Sequence, residues 1–144
     1  MSLSDAFCVE RHRAEFKHLI SGHVDILFAN EAEITSLFEV GTFDEAVKLT
    51  AGHCEIAALT QGSKGCVIVE EGALHEVAAK PVDNVVDTTG AGDLFAAGFL
   101  YGLTRGFELP SCGAIGSLAA AEVISHYGAR PETPLADLLA ASGL

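Results

Sequence analysis

One glycine-rich stretch decides how the rest of the chain is interpreted, and it reads Asp87-Thr88-Thr89-Gly90-Ala91-Gly92-Asp93. The β-branched pair Val85-Val86 precedes it as the end of a strand-like segment, and an apolar run of helical character follows it. Glycine has no Cβ, so it lets backbone N–H groups approach an anion closely. If a helix begins near Ala91, its unpaired N–H groups and the positive end of its dipole face the same anion. The stretch therefore predicts an anion site at the start of a helix.

Asp93 would lie in the first turn of that helix, at the edge of the predicted anion site. A carboxylate that can accept a hydroxyl proton, next to donors that neutralise phosphate, is what phosphoryl transfer to an alcohol requires. In the structural alternative, the glycines form only a tight strand-to-helix turn, and Asp93 is a first-turn acid that stabilises the helix dipole.

Composition limits the class of protein. The 144 residues are 49% hydrophobic with only 4 prolines, which is typical of a compact globular protein with a sizeable core. The net charge of −12 argues against nucleic acid or an anionic membrane as a partner. The longest apolar runs, 94–103 and 114–121, are too short to span a bilayer. The four cysteines follow no metal-binding or redox spacing, so we expect buried thiols in a cytoplasmic protein.

The glycine-rich stretch and the segment Leu94–Phe99 after it resemble the second signature of the ribokinase/PfkB-type sugar and nucleoside kinases. Seven consecutive residues match, together with the start of the helix, which is far more specific than a lone Gly-x-Gly pattern. The resemblance implies that Asp93 is the catalytic base and that Gly90, Ala91 and Gly92 form the anion hole. It also implies ATP as the phosphoryl donor.

Asn30 and Glu33 form an Asn-x-x-Glu motif that resembles a second motif of the same family. The motif follows an apolar run of strand length and opens a helix predicted over 31–38. The resemblance implies that this pair holds the Mg²⁺–phosphate region through water. An asparagine cap followed by a first-turn acid would account for the same two residues without any ligand.

Thr60, Gly62 and Gly65 resemble the family's Thr-x-Gly-x-x-Gly nucleotide-binding loop, in which the backbone and the threonine lie along the ATP phosphates. This motif is weak by itself, because any hairpin loop favours glycine.

The remaining site residues are also implied by the resemblance. They comprise an adenine-side group on a buried helix and a monovalent-cation site for K⁺ formed by the glycine-rich stretch and a later Gly-Ala turn. The adenine-side group is Gly116, Ser117 and Ala120, and the cation group is Asp87, Thr89, Ser125 and Gly128. A carboxylate suits such a site, because hard cations prefer oxygen ligands. In the structural alternative, Asp87 only bonds its own backbone in a turn.

Hydrophobic periodicity and cap residues predict helices over 4–21, 31–38, 42–51, 91–105, 111–126 and 135–141, with Gly128 as a C-cap. They predict strands over 24–29, 54–60, 66–69 and 73–77. Gly98, Gly102 and Gly106 recur every four residues, which indicates close helix packing. We therefore expect a three-layer α/β protein. The resemblance implies that it is the α/β/α ribokinase-like fold.

The resemblance covers nearly the whole chain but only the C-terminal half of the family's usual fold. No strand precedes the first predicted helix, and the first glycine-rich signature, the N-terminal half and the β-lid are absent. We expect residues 1–144 to form a single partial domain, the nucleotide-binding and catalytic half, without turnover by itself. An exposed sheet edge would favour a homodimer.

The expected activity is ATP-dependent phosphoryl transfer to a hydroxymethyl group of a small-molecule nucleoside or sugar. The segment 121–132 resembles bacterial adenosine kinases, which favours adenosine over a ribokinase or fructokinase substrate. The alternative is a non-catalytic nucleotide-binding or regulatory module, although such a module would not need Asp93. A Rossmann dehydrogenase is excluded, because the Gly-Ala-Gly follows a hairpin and lacks the later glycine and acidic residue.

Overall fold

The computed structural model describes all 144 residues. Its helices are α1 (Ala6–Arg11), α2 (Arg13–Ile20), α3 (Glu31–Phe38), α4 (Phe43–Thr50), α5 (Ala91–Thr104), α6 (Leu109–Val123) and α7 (Leu135–Ser142). Its strands are β1 (Ile26–Asn30), β2 (Ile56–Thr60), β3 (Cys66–Glu70) and β4 (Ala73–Val77), with a single 3₁₀ turn at Gly62–Lys64. The predicted α/β class is confirmed. None of the helices has both the length and the apolar character needed to cross a membrane.

The backbone divides into two compact units. The first comprises Met1–Gly62 and Cys66–Glu76, and the second comprises Ser63–Gly65 and Val77–Leu144. The first unit therefore contains α1 to α4 and nearly all of the sheet, while the second contains α5 to α7. The single domain expected over residues 1–144 stays a prediction.

The four strands form one sheet in the order β1-β2-β3-β4. β1 and β2 are parallel, and β2 and β3 are antiparallel. The register pairs Asn30 with Thr60, so the carboxyl ends of the two parallel strands lie side by side. The three central residues of each parallel strand are buried, as the apolar runs predict. The motif that begins at Asn30 and the loop that begins at Thr60 therefore lie next to each other, at the carboxyl ends of adjacent strands.

The N-terminal segment differs from its prediction. The helix predicted over 4–21 is interrupted at His12, where the backbone leaves helical dihedrals (φ −125°, ψ 32°). Residues before the helix also pair with the sheet, because Ser2 forms a parallel bridge with Phe28 of β1. The expectation of one uninterrupted helix was wrong, whereas no strand precedes α1 in these residues, as expected. The side chain of Asp5 does cap α1, accepting the N–H of Cys8 at 2.8 Å.

α5 and α6 pack with almost no space between their backbones. A Cβ at Gly98 would lie 2.8 Å from the carbonyl oxygen of Ile115, and one at Gly116 would lie 2.7 Å from that of Phe95. Gly102 likewise faces Cys112. Close packing was therefore predicted correctly for two of the three spaced glycines. Gly106 lies beyond the end of α5 and faces open space, so it does not belong to this contact.

Two further boundaries were predicted incorrectly. α6 begins two residues earlier than predicted and is capped at Ile124, so Gly128 is not its C-cap. The segment before the glycine-rich stretch forms no strand. Its backbone bonds instead to the end of α6, since the N–H of Val86 donates to the carbonyl of Ile124 at 2.8 Å. In the second case the final geometry depends on a contact between distant residues.

Candidate active site

The glycine-rich stretch forms the start of α5, as predicted, with Gly90 as the N-cap residue. The N–H of Ala91 donates to Thr88 at 3.2 Å, and no side chain caps the helix. The N–H groups of Gly92 and Asp93, in the first turn, have no acceptor in the chain. Two open donors at the positive end of a 14-residue helix form a site suited to a phosphate.

Gly90 adopts a left-handed conformation (φ 81°), which favours glycine. A Cβ at this position would also lie 2.8 Å from the Cβ of Ala129. We call residues 124–133 the C-terminal turn. The contact shows that this turn packs directly on the start of α5.

Asp93 is exposed and stands in the first turn of α5, next to the open N–H groups. Its carboxylate makes no hydrogen bond or ion pair. Both oxygens are therefore available to accept a proton from a hydroxyl group. Of the three predicted anion-hole residues, Ala91 already uses its N–H within the turn, whereas the N–H groups of Gly90 and Gly92 have no acceptor in the chain, and neither has that of Asp93.

Asp87 links the glycine-rich stretch to the C-terminal turn. Its Oδ1 accepts bonds from the hydroxyl (2.7 Å) and the N–H (2.9 Å) of Thr89, and its Oδ2 accepts one from the N–H of Gly128 (3.1 Å). These bonds, the Thr89 hydroxyl first, hold the pKa of Asp87 below its ordinary value. The carboxylate is therefore charged at neutral pH. The Asx turn of the structural alternative is present, but the bond to Gly128 adds a contact that such a turn does not need.

The structure brings the predicted cation residues Asp87, Thr89 and Gly128 together. Ser125 lies in the same turn, where its hydroxyl donates to the carbonyl of Glu122 at 2.7 Å. A charged carboxylate next to the hydroxyl of Thr89 fits a monovalent cation in its donor chemistry. The cation site itself stays a prediction.

Glu122 and His126 form a cluster that the sequence motifs did not reveal. Oε1 of Glu122 accepts the N–H groups of Glu132 (2.9 Å) and Thr133 (2.7 Å), and its Oε2 lies 3.3 Å from Nε2 of His126. Desolvation raises the pKa of Glu122, but the bonds from Thr133, His126 and Glu132 outweigh it and lower the pKa overall. Desolvation lowers the pKa of His126, and its bonds to Tyr127 and Glu122 outweigh that effect and raise it. One sequence signal was available, because Glu122 is the only charged residue in α6.

In the first unit, Asn30 and Glu33 form a complete capping box at the start of α3. Oδ1 of Asn30 accepts the N–H of Glu33 at 2.9 Å, while Oε2 of Glu33 accepts the N–H of Asn30 at 2.9 Å. Oε1 of Glu33 accepts a further bond from Nδ2 of Asn30 at 2.8 Å. Glu33 is 6% exposed, and burial raises its pKa. The cap interpretation therefore accounts for the geometry, and the donor set does not fit direct ligation of Mg²⁺.

We expect Asn30→Ala to destabilise the chain by about 2 kcal/mol, because it removes the cap and leaves Oε1 of the buried Glu33 carboxylate without its partner. Thr42→Ala is the matched control, since Thr42 and Glu45 form the same box at the start of α4 but are exposed. The control should cost about 1 kcal/mol. Urea unfolding of both variants checks the difference. An equal or larger loss in Thr42→Ala would contradict the buried cap.

Thr60, Gly62 and Gly65 surround the turn between β2 and β3. Thr60 is the last residue of β2, and Gly62 opens the 3₁₀ turn. Gly65 has φ 107°, and a Cβ there would overlap the carbonyl oxygen of Val77. Backbone packing therefore already requires glycine at residue 65. Nucleotide binding by this loop stays a prediction.

The predicted adenine-side residues lie on α6. Gly116 is buried against Phe95, and the hydroxyl of Ser117 accepts the N–H of Lys80 at 2.7 Å. Ala120 is half-buried one turn further along. An apolar cavity of about 160 Å³ lies among α5, α6 and α7, and none of these three residues lines it. Packing explains Gly116, and the adenine contacts stay predictions.

Residues 2–136 match the model of the pfkB family of carbohydrate kinases. The chain is similar to the crystal structure of a probable sugar kinase from Rhizobium etli, with 49% identity and a TM-score of 0.97. It is also similar to adenosine kinase from Sinorhizobium meliloti, with 47% identity and a TM-score of 0.96. Both likenesses cover 99% of this chain and 44% of the other. An uncharacterized sugar kinase from Archaeoglobus fulgidus is 44% identical over 110 residues, which are 76% of this chain and 43% of that protein.

The chain thus spans less than half of the length of these relatives. The predicted ribokinase-like fold is confirmed, because the likeness extends over almost every residue of this chain. The predicted similarity to sugar and nucleoside kinases is confirmed at the level of the family. On this evidence the chain belongs to the pfkB family of carbohydrate kinases.

Proposed function

We propose that the protein transfers the γ-phosphoryl group of ATP to a hydroxymethyl group of a nucleoside or sugar, with adenosine as the preferred acceptor. One observation carries the proposal. Two unbonded N–H groups at the start of α5 stand next to the unbonded carboxylate of Asp93. None of these three groups makes a hydrogen bond within the chain.

The chemistry follows from what each group can do. In phosphoryl transfer, negative charge spreads over the oxygens of the transferred group, and preorganised N–H donors stabilise it. The N–H groups of Gly92 and Asp93 would supply this stabilisation, with Gly90 keeping the turn tight. The carboxylate of Asp93 would accept the hydroxyl proton as the substrate oxygen bonds to phosphorus and the bond to ADP breaks.

Mg²⁺ would arrive with the nucleotide rather than occupy a preformed site in this chain. No group of three or more His, Cys, Asp or Glu side chains is arranged to hold a metal ion. The capping box of Asn30 and Glu33 uses its oxygens internally, so any contact with Mg²⁺ there would pass through water. K⁺ would instead bind near Asp87, close to the anion site, and would neutralise the charge of its carboxylate.

Adenosine is favoured by the segment 121–132, which resembles bacterial adenosine kinases. The whole-chain identities are nearly equal, at 47% to an adenosine kinase and 49% to a probable sugar kinase. A sugar therefore remains the second candidate acceptor. A non-catalytic nucleotide-binding module is the alternative from another class, and the free carboxylate of Asp93 argues against it. We expect no turnover from these 144 residues alone, since they span less than half of the relatives' length.

Calorimetric titration of the chain with Mg-ATP, with and without K⁺, tests this proposal. We expect K⁺ to strengthen binding about tenfold and Asp87→Ala to abolish that gain, because the cation and the phosphates would be coupled through one turn. Asp83→Ala is the matched control, an exposed acid of the same irregular segment. It should behave like the unmodified chain.

Absence of Mg-ATP binding by a folded chain would contradict a preformed anion site. Equal strengthening by K⁺ in Asp87→Ala would contradict the cation assignment alone.

A further inference from the structure

One side chain, Glu122, fastens the C-terminal turn at both of its ends. The Glu122 side chain is only 8% exposed and stands in the last turn of α6. Its Oε1 accepts N–H bonds from Glu132 and Thr133, at the far end of the turn. Its Oε2 faces His126, near the beginning. This carboxylate therefore joins the end of α6 to the far end of the turn, 10 and 11 positions later in the chain.

The middle of the C-terminal turn has little else to hold it. Residues 127–130 are exposed, and Tyr127 is 83% exposed. Two contacts leave this exposed part: the N–H of Gly128 bonds to Asp87, and Ala129 packs on Gly90. Both contacts reach the glycine-rich stretch at the start of α5. The position of the turn therefore depends on how firmly its two ends are held.

We infer that Glu122 is a positioning residue for the proposed anion and cation sites, because it closes the C-terminal turn and thereby holds Gly128 and Ala129 against Asp87 and Gly90. Its effect on ligands rests on the proposed function. Its effect on the turn depends only on hydrogen bonds within the chain.

Amide hydrogen exchange in the 144-residue chain tests the effect on the turn. Glu122→Ala should speed exchange at Gly128, Glu132 and Thr133 about tenfold. Glu132 and Thr133 lose the acceptor of their N–H groups, and Gly128 lies in the turn that Glu122 no longer closes. Glu122→Gln keeps an oxygen that can accept both N–H groups, so exchange should stay within about threefold of the unmodified chain. Glu108→Ala is the control at the opposite end of α6, where Glu108 is exposed and its side chain caps nothing.

Mg-ATP titration of the same variants tests the effect on ligands. In Glu122→Ala, K⁺ should no longer strengthen binding, whereas Glu122→Gln and Glu108→Ala should keep the gain. A merely structural role would reduce the folded fraction without changing the ratio of the affinities with and without K⁺.

Unchanged exchange at Gly128, Glu132 and Thr133 in Glu122→Ala would overturn the inference. Uniformly faster exchange throughout α5 and α6 would also overturn it, because Glu122 would then support the unit as a whole. If the unmodified chain binds no Mg-ATP, the proposed function fails, while the exchange result still decides whether Glu122 closes the turn.

Discussion

Asp93→Asn should lower the turnover number of a pfkB kinase that contains this chain by roughly 10²- to 10⁴-fold. The amide keeps the size of the side chain but cannot accept the hydroxyl proton. A suitable enzyme joins these residues to the part of the Sinorhizobium meliloti adenosine kinase that they do not span, since the two chains share 47% identity. The affinity for Mg-ATP should stay the same or rise, because a negative charge next to the phosphates is removed.

Asp137→Asn is the matched control. Asp137 is also an acidic residue in the first turn of a helix, at the start of α7. If Asp93 served only the helix dipole, both variants would lose a similar, small amount of stability and keep their activity. Steady-state kinetics together with thermal unfolding separates the two roles. Full activity of Asp93→Asn would contradict the proposed base.

Gly98→Ala should destabilise the chain by about 2 kcal/mol, although alanine normally favours a helix. The new Cβ would lie 2.8 Å from the carbonyl oxygen of Ile115 and 2.9 Å from the Cα of Gly116. Both atoms belong to the backbone of α6, so the two helices must move apart. Urea unfolding measures the change in the free energy of unfolding.

Gly92→Ala provides the comparison in the same helix. No atom lies within 4 Å of a Cβ built at Gly92. This variant should be neutral or stabilised by up to about 1 kcal/mol through helix propensity. Equal effects of the two substitutions would mean that α5 and α6 are not in close contact at Gly98.

Local signals in the sequence predicted the starts of α3, α4 and α5 well. α5 begins at Ala91 because a turn-forming glycine precedes an apolar run, and α3 and α4 begin after residues that cap them with their own side chains. The residue at which such a helix begins depends on neighbours within four positions, and these neighbours can be identified in a single sequence.

Features that depend on distant partners were not predictable in the same way. The pairing of Ser2 with Phe28 and the bonds of Glu122 to Glu132 and Thr133 require the tertiary fold. The need for glycine at residue 116 is of the same kind. The resemblance implies an adenine-side role for Gly116, whereas its close contact with Phe95 becomes visible only in the tertiary fold. The most specific motif, at the start of α5, has N–H groups and a carboxylate that make no hydrogen bond within the chain. The weaker motifs coincide with packing contacts or with a helix cap.

The bond between Gly128 and Asp87 joins residues that are 41 positions apart. Such a contact gains its enthalpy only after the entropy of closing a long loop has been lost, so we expect it to form after the local contacts of α5. Until then α5 can be helical without the geometry of the completed site. The capacity to recognise a phosphate would therefore be acquired after α5 has formed, and a bound nucleotide would act mainly as a brake on unfolding.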